Sequence, residues 1–193
     1  MNTEIPIEKH PLKPFLPIGS KILMLGSFPP QRKRWSMDFF YPNIQNDMWR
    51  IFGLIFHEEK NFFYDLQTKS FRQPLIEAFL REKGIGIFDT AISVRRLKNN
   101  ASDQFLEIVK PTDLQQLLNQ IPTCKTIVTT GKLATEVTTS QFGTDMIRVG
   151  TSIHVLSPDI NIYRMPSSSR SYPLTLEKKA AIYRQMFEQE HLL

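Results

Sequence analysis

Two neighbouring segments near the start of the chain combine residue types that could hold a nucleobase. The first, residues 26–30, follows an apolar run of strand length at residues 22–25, and the second spans residues 38–49. Together they offer aromatic rings that could stack on a base turned out of a duplex, and an amide that could hydrogen-bond its edge. The candidate base contacts are Ser27, Phe28, Phe39, Phe40 and Tyr41, and the amide is that of Asn46.

Cations and serines follow the predicted strands in a pattern suited to a nucleic-acid backbone. The chain carries 24 Lys and Arg residues against 19 Asp and Glu residues, and most of the clustered acids fall on predicted helices. We therefore expect a cationic rim at one edge of the fold, although a net charge of +5 does not by itself establish a polyanionic partner. The candidate phosphate contacts are Arg32, Lys33, Arg34, Arg96, Lys132, Ser167, Ser168, Ser169 and Arg170.

Alternating strand and helix patterns supply the elements that must position these residues. The predicted strands are residues 21–25, 85–88, 126–130 and 162–165, with a candidate further strand at residues 153–156. The predicted helices are residues 48–56, 70–83, 112–120, 132–141 and 173–189, the third starting with a capping box of Thr112 and Gln115. This order predicts a single α/β domain at residues 21–193, a three-layer αβα fold with a central, mainly parallel four-stranded sheet. A proline-rich extended arm at residues 1–20 precedes it.

The predicted topology brings the candidate residues together. Loops that follow parallel strands lie at one edge of the sheet, where ligands bind in open α/β folds. We therefore expect residues 27–30, Asp89 and residues 167–169 to converge there. Because neighbouring residues of an extended segment alternate sides, we expect one or two of the three aromatics at residues 39–41 to face the site and the rest to pack in the core.

The remaining composition excludes several classes of site. The single cysteine, Cys124, excludes a disulfide framework, a thiolate zinc site and an iron–sulfur cluster, and the four histidines show no metal-ligand spacing. No apolar stretch reaches the ~18 residues of a membrane span, and the N-terminus lacks the apolar core of a signal peptide. We expect a cytoplasmic monomer with no metal and no membrane contact.

Four motifs of this chain resemble, in the same order, those of the uracil-DNA glycosylase superfamily, and most closely its hypoxanthine-DNA (deoxyinosine) glycosylase branch. They are Gly26-Ser27-Phe28-Pro29, the Phe39-Phe40-Tyr41…Asn46…Trp49 spacing, Asp89 at the end of a strand, and Met165-Pro166-Ser167-Ser168-Ser169. The chain departs from the branch pattern at Pro30, at residues 43–45 and at Arg170. The resemblance implies a uracil-DNA glycosylase-like fold and a monofunctional glycosylase that removes hypoxanthine, xanthine or uracil from DNA without a metal or organic cofactor.

The resemblance also implies roles for two residues. Asn46 matches the functional asparagine of the family, and since an amide does not titrate near neutral pH, it would orient water or hydrogen-bond the base. Asp89 could polarise water or accept a hydrogen bond from a base N–H. Each has a structural alternative, because Asn46 precedes a predicted helix that it could cap and Asp89 could cap the turn at Thr90.

Two other functions stay open at the level of the sequence. A catalytically inactive member of the superfamily could bind DNA or nucleotides only. A nucleotide- or phosphate-binding α/β hydrolase is the second alternative, although the chain has no glycine-rich phosphate loop of the P-loop or dinucleotide type.

Overall fold

A computed structural model describes residues 5–98 and 102–193 of the 193-residue chain. The helices are α1 (Met48–His57), α2 (Gln73–Lys83), α3 (Leu114–Gln120), α4 (Lys132–Phe142) and α5 (Leu176–Gln189). The strands are β1 (Ile7–Lys9), β2 (Ile22–Gly26), β3 (Tyr64–Asp65), β4 (Ser70–Phe71), β5 (Ile85–Asp89), β6 (Ala91–Arg96), β7 (Leu106–Pro111), β8 (Thr126–Thr130), β9 (Thr151–Val155) and β10 (Ile160–Met165).

The centre of the fold is a five-stranded sheet in the order β5–β2–β8–β10–β9. The first four strands pair in parallel, and β9 adds an antiparallel edge next to β10. Every residue of β2, β5 and β8 is buried, as expected of parallel strands covered on both faces. The predicted α/β class and mainly parallel sheet are confirmed. The sheet has five strands instead of four because the candidate strand at residues 153–156 extends over Thr151–Val155 and pairs with β10.

A second, antiparallel sheet in the order β1–β6–β7 was not predicted. Strand β6 follows β5 after the single residue Thr90, so no turn signal separates the two strands in the sequence. Ile7 of β1 pairs with Arg95 of β6, and further along the chain Phe15 bridges to Ile87 of β5. The described part of the predicted arm thus lies against β5 and β6, while its first four residues are outside the described ranges.

Three predicted helix starts are wrong, each for a local reason. The helix predicted from residue 173 begins at Leu176, because the Thr175 side chain accepts a hydrogen bond from the Lys178 amide and caps α5. The helix predicted from residue 70 begins at Gln73, because Ser70–Phe71 pairs with Tyr64–Asp65 in a short hairpin. The capping box of Thr112 and Gln115 does not form. Instead the side chain of Asp113 accepts a hydrogen bond from the Gln116 amide and caps α3. The Thr112 hydroxyl donates to the backbone carbonyl of Asp89 at 2.7 Å.

The main hydrophobic core places α1 and α5 against each other beside the sheet. Trp49 of α1 is 1% exposed, and its indole N–H donates to the Phe40 carbonyl oxygen at 3.0 Å, which fixes the site segment before α1 to the core. Within the described ranges, no helix has the length and apolar character needed to cross a membrane.

Candidate functional site

A cleft of about 820 Å³ opens at the carboxyl ends of the parallel strands. Its wall is built from the segments that follow β2, β5, β8 and β10, together with residues 40–46 ahead of α1. The predicted convergence of residues 27–30, Asp89 and residues 167–169 at one sheet edge is therefore found. The volume lies in the range of cavities that hold small-molecule ligands.

Asp89 lies beside Gly26 at the ends of adjacent strands. The two residues are register partners of β5 and β2, and a Cβ atom on Gly26 would come within 2.4 Å of Asp89 Oδ1. Only glycine allows this approach. The other carboxylate oxygen, Oδ2, lies 2.9 Å from His10 Nε2. Sequence reasoning missed His10 because a lone histidine in a proline-rich segment carries no signal of its partner.

Asn46 serves α1 and faces the cleft at the same time. Its Oδ1 accepts a hydrogen bond at 2.9 Å from the amide of Met48, the first residue of α1, although the N-cap position predicted for Asn46 is held by Asp47, whose side chain makes no capping hydrogen bond. The residue also lines the cleft, and its Nδ2 donates to no residue in the described part of the chain. The hydrogen bond from Met48 therefore fixes the amide oxygen and leaves the amide nitrogen available to a ligand.

The asparagine segment and the serine segment are joined as a short antiparallel ladder. Asn46 bridges to Ser169, and the Asp47 amide donates to the Ser168 carbonyl oxygen at 2.8 Å. The Arg170 amide completes the ladder with a 3.3 Å hydrogen bond to the carbonyl oxygen of Gln45. The two segments are more than 120 residues apart in sequence, and this pairing sets the width of the cleft between them.

An ion-pair cluster behind the ladder, buried at Lys179 and Asp47 and half-exposed at Arg170, holds both segments. Lys179 of α5 is fully buried, and its Nζ donates to the Ser169 carbonyl oxygen at 2.7 Å and to Asp47 Oδ2 at 3.3 Å. Asp47 Oδ1 accepts from Arg170 Nε at 2.9 Å. Because a buried ammonium needs its partners, the cluster resists separation of the segments. A sequence signal existed, since Lys179 is four residues before Tyr183 on the buried stripe of α5.

The three predicted aromatics divide between core and cleft. Phe39 packs edge-on to Phe15 in the core, whereas Phe40 and Tyr41 line the cleft together with Phe28. Tyr41 has a positive φ of 51°, which turns the chain at this point. The structure thus brings two of the three rings to the site, within the expected number.

Two side chains that line the cleft, Tyr41 and Asp103, have raised pKa values. Burial, and then the nearby charge of Asp89, raise the pKa of the Tyr41 phenol, so that it stays neutral and hydrogen-bonds Thr130 Oγ1 at 2.9 Å. Asp103, which the sequence pattern did not indicate, accepts a hydrogen bond from Ser27 Oγ at 2.7 Å. Burial raises the pKa of Asp103, with a further contribution from Asp89, while the hydrogen bond from Ser27 opposes it.

The predicted cations fall into three groups. Arg34, Lys132 and Arg170 are exposed and line the cleft, which provides part of the expected cationic rim. Arg32 and Lys33 are exposed on the same turn of 3₁₀-helix as Arg34, outside the cleft wall. Arg96 does not lie on the rim, contrary to the prediction.

Arg96 is buried because its guanidinium is used inside the fold. Its Nη2 donates to Glu8 Oε2 at 3.0 Å and to the Pro29 carbonyl oxygen at 3.1 Å. This arginine therefore joins β1 to the loop after β2.

Within residues 5–98 and 102–193, no group of three His, Cys, Asp or Glu side chains could hold a metal ion.

The comparisons with known proteins bear on the fold. No protein-family model matches the chain, and no curated protein of matching sequence was found. Among solved structures, the solution NMR structure of a "putative uracil DNA glycosylase" from Methanosarcina acetivorans is similar, with a TM-score of 0.60 over 94% of this chain and 99% of that chain. The two proteins share a fold. At 22% identity the likeness is one of architecture, and it agrees with the uracil-DNA glycosylase-like fold that the four motifs predicted.

Proposed function

We propose that this protein is a DNA glycosylase that hydrolyses the N-glycosidic bond of a deaminated base, namely hypoxanthine, xanthine or uracil, as in the hypoxanthine-DNA glycosylase branch. The observation that carries the proposal is the placement of Asn46. Its amide oxygen is held by the first residue of α1, its amide nitrogen has no partner in the described part of the chain, and the residue lines a cleft that also contains aromatic rings and the Asp89 carboxylate. The shared fold with the Methanosarcina acetivorans protein supports it.

The cleft contains groups suited to each demand of the reaction. Cleavage of the glycosidic bond leaves positive charge on the sugar and negative charge on the departing base. The Asn46 amide could donate to the base or to the attacking water, and Phe28 or Phe40 could stack on the base. Asp89 could accept from a base N–H or polarise the water. The reacting groups would be held close together, which lowers the entropic part of the barrier.

The rim of the cleft is suited to a DNA backbone. Ser167 and Ser169 offer hydroxyl groups, and Arg34, Lys132 and Arg170 offer exposed positive charge around the opening. Such contacts would position the duplex without reading its sequence. They would also release counterions, so that affinity falls as salt rises.

Duplex oligonucleotides that carry one uracil, hypoxanthine or xanthine test the proposal. After incubation with the protein, alkali cleaves the strand at any abasic site, and a matched duplex of normal bases is the control. We expect strand cleavage at the modified position in at least one of the three duplexes. Binding without cleavage in all three would favour the binding-only alternative, and absence of both binding and cleavage would reject a role on DNA.

A further inference from the structure

His10 contacts Asp89 of the cleft from a segment that is fixed on both sides by backbone hydrogen bonds. Its own amide donates to the Ile92 carbonyl oxygen of β6 at 2.8 Å. Five residues later, Phe15 exchanges two backbone hydrogen bonds with Ile87 of β5, at 2.8 and 3.0 Å. The segment is therefore attached to the strands on either side of Asp89, and the His10 side chain has a defined position behind that carboxylate.

The imidazole of His10 lies in an aromatic enclosure with its Nε2 directed at Asp89. The side chain is 3% exposed and packs against Phe28, Phe88 and Phe40, with ring centroids 5.3, 4.7 and 6.2 Å away. Its Nε2 lies 2.9 Å from Asp89 Oδ2. The contact is maintained because the enclosure prevents the ring from turning away.

The second ring nitrogen has a partner in either protonation state of the imidazole. Nδ1 lies 3.1 Å from the amide nitrogen of Leu12 and 2.9 Å from its carbonyl oxygen. A neutral ring accepts from the Leu12 N–H, and a charged ring donates to the Leu12 carbonyl oxygen. Opposite a carboxylate at 2.9 Å, Nε2 carries a proton in both states, because the other neutral tautomer would bring two lone pairs together, and Asp89 Oδ2 accepts this hydrogen bond. His10 therefore acts on Asp89 as a constant donor.

This contact leaves Asp89 with one oxygen for a ligand. Oδ2 is occupied by His10, whereas Oδ1 accepts no hydrogen bond from any residue within the described ranges. Oδ1 occupies the space over Gly26 that a Cβ atom would otherwise fill, and both residues line the wall of the cleft. Because His10 fixes the Asp89 carboxylate through Oδ2, the carboxylate offers a ligand one hydrogen-bond acceptor, Oδ1.

On the basis of the proposed function, we propose that His10 is a positioning residue that makes Asp89 Oδ1 a reader of the ring N–H produced by deamination. Adenine has an acceptor at N1 and cytosine has one at N3. Deamination to hypoxanthine or uracil places a proton on that same nitrogen. A carboxylate oxygen accepts from the N–H of the product and repels the lone pair of the parent base. Guanine and xanthine both carry N1–H, so this contact separates hypoxanthine from adenine and uracil from cytosine only.

The Asp89→Asn variant should reverse the base preference and not merely lose it. With His10 in place, its Nε2–H would hold the amide oxygen, and the amide NH₂ would occupy the reading position. A donor there prefers the N1 acceptor of adenine, so the preference should reverse. In Asp89→Asn combined with His10→Phe the amide can turn freely, and the preference should disappear. His10→Phe alone keeps an aromatic ring in the enclosure and removes the donor.

Binding to DNA that is not hydrolysed tests this without requiring turnover. Duplexes carry a 2′-fluoro sugar, which resists glycosidic cleavage, bearing hypoxanthine or adenine opposite an abasic spacer so that neither base is paired. Fluorescence anisotropy gives the ratio of the two Kd values for each variant. We expect wild type to favour hypoxanthine by about tenfold to a hundredfold. Asp89→Asn should favour adenine, and His10→Phe should lose most of the preference. The control His154→Gln changes an exposed histidine paired with Asp159 and should match wild type.

Three results would overturn the proposal. These are a wild-type protein without preference, a His10→Phe variant that keeps the full preference, and a His10→Phe variant that binds both duplexes more weakly by the same factor. The last result would assign His10 a purely structural role. This binding assay and the base-release assay of the proposed function can fail separately. A protein that binds the hypoxanthine duplex more tightly than the adenine duplex, but releases no base from an ordinary duplex, would have the proposed Asp89 contact and would not be a glycosylase.

Discussion

Two substitutions of Asn46 separate its capping role from its proposed chemical role. Asn46→Ala removes both the oxygen that accepts from the Met48 amide and the amide nitrogen proposed as the donor to the ligand. Asn46→Asp keeps an acceptor of the same shape at the start of α1, where negative charge is also favourable. It removes the amide donor and places a carboxylate where negative charge would develop on the departing base.

The expected magnitudes differ between stability and rate. Loss of a helix cap costs about 1 kcal/mol, which lowers the Tm of a domain of this size by about 2–4 °C. A donor that acts mainly in the transition state contributes about 2.7–4 kcal/mol, or roughly 10²–10³ in rate. We therefore expect Asn46→Ala to lose both stability and rate, and Asn46→Asp to keep its Tm while losing the rate.

Thermal unfolding and single-turnover base release, measured on the same preparations, test this pair. Anisotropy titration with the same duplex serves as a control, because phosphate contacts and stacking should keep affinity nearly unchanged in Asn46→Ala. If Asn46→Asp releases base at the wild-type rate, Asn46 is a helix cap only. In that case, loss of activity in Asp89→Asn would make Asp89 the group that activates water.

Three further predictions concern the surroundings of the site. Gly26→Ala should slow base release by about a hundredfold in single-turnover assays, because the new Cβ would displace the Asp89 carboxylate, and an unchanged rate would contradict this close packing. Replacing all three cations of Arg32–Arg34 by alanine should flatten the slope of log K for DNA binding against log[salt] by about 1 for each phosphate that these side chains neutralise. The control Arg96→Ala, at a buried arginine, should lower the Tm and leave the slope unchanged. Since burial raises the pKa of Asp103, the folded state binds this proton more tightly than the unfolded chain does, and stability falls as pH rises from the ordinary range for aspartate through the raised pKa. Urea unfolding across pH should therefore show Asp103→Asn to be more stable than wild type at neutral pH, and equal stability would refute it.

The parts of the fold that were predictable are those whose pattern is local. The apolar run of β2 and the helical spacing of α1 are complete within about ten residues each, and both elements form close to the predicted bounds. The convergence of the loops followed from the rule that parallel strands place their carboxyl ends together. The hairpin at β3 and β4 is only two residues per strand, and no periodicity can be recognised over that length.

Residues whose role depends on a distant partner could not be predicted. His10 meets Asp89 across 79 positions, and Lys179 meets Asp47 across 132. The spacing of residue types indicates neither partner, although the position of Lys179 on the apolar stripe of α5 indicates that it is buried. Arg96 was predicted to be exposed because it follows a predicted strand. It is buried because it pairs with Glu8, in a strand that the sequence pattern did not indicate. The sequence thus predicted which loops meet at the cleft, and it did not predict which buried side chains pair behind it.

The central claim, that the cleft beside Asn46 breaks an N-glycosidic bond, is tested most directly by identifying the products by mass. Wild-type protein is incubated with a duplex containing hypoxanthine, xanthine or uracil, and both the small-molecule fraction and the intact strand are analysed. The account predicts a free base together with an unbroken strand that has lost the mass of that base and gained a water. Release of nucleotides or phosphate, or an unchanged strand of all three duplexes at saturating protein, would contradict it.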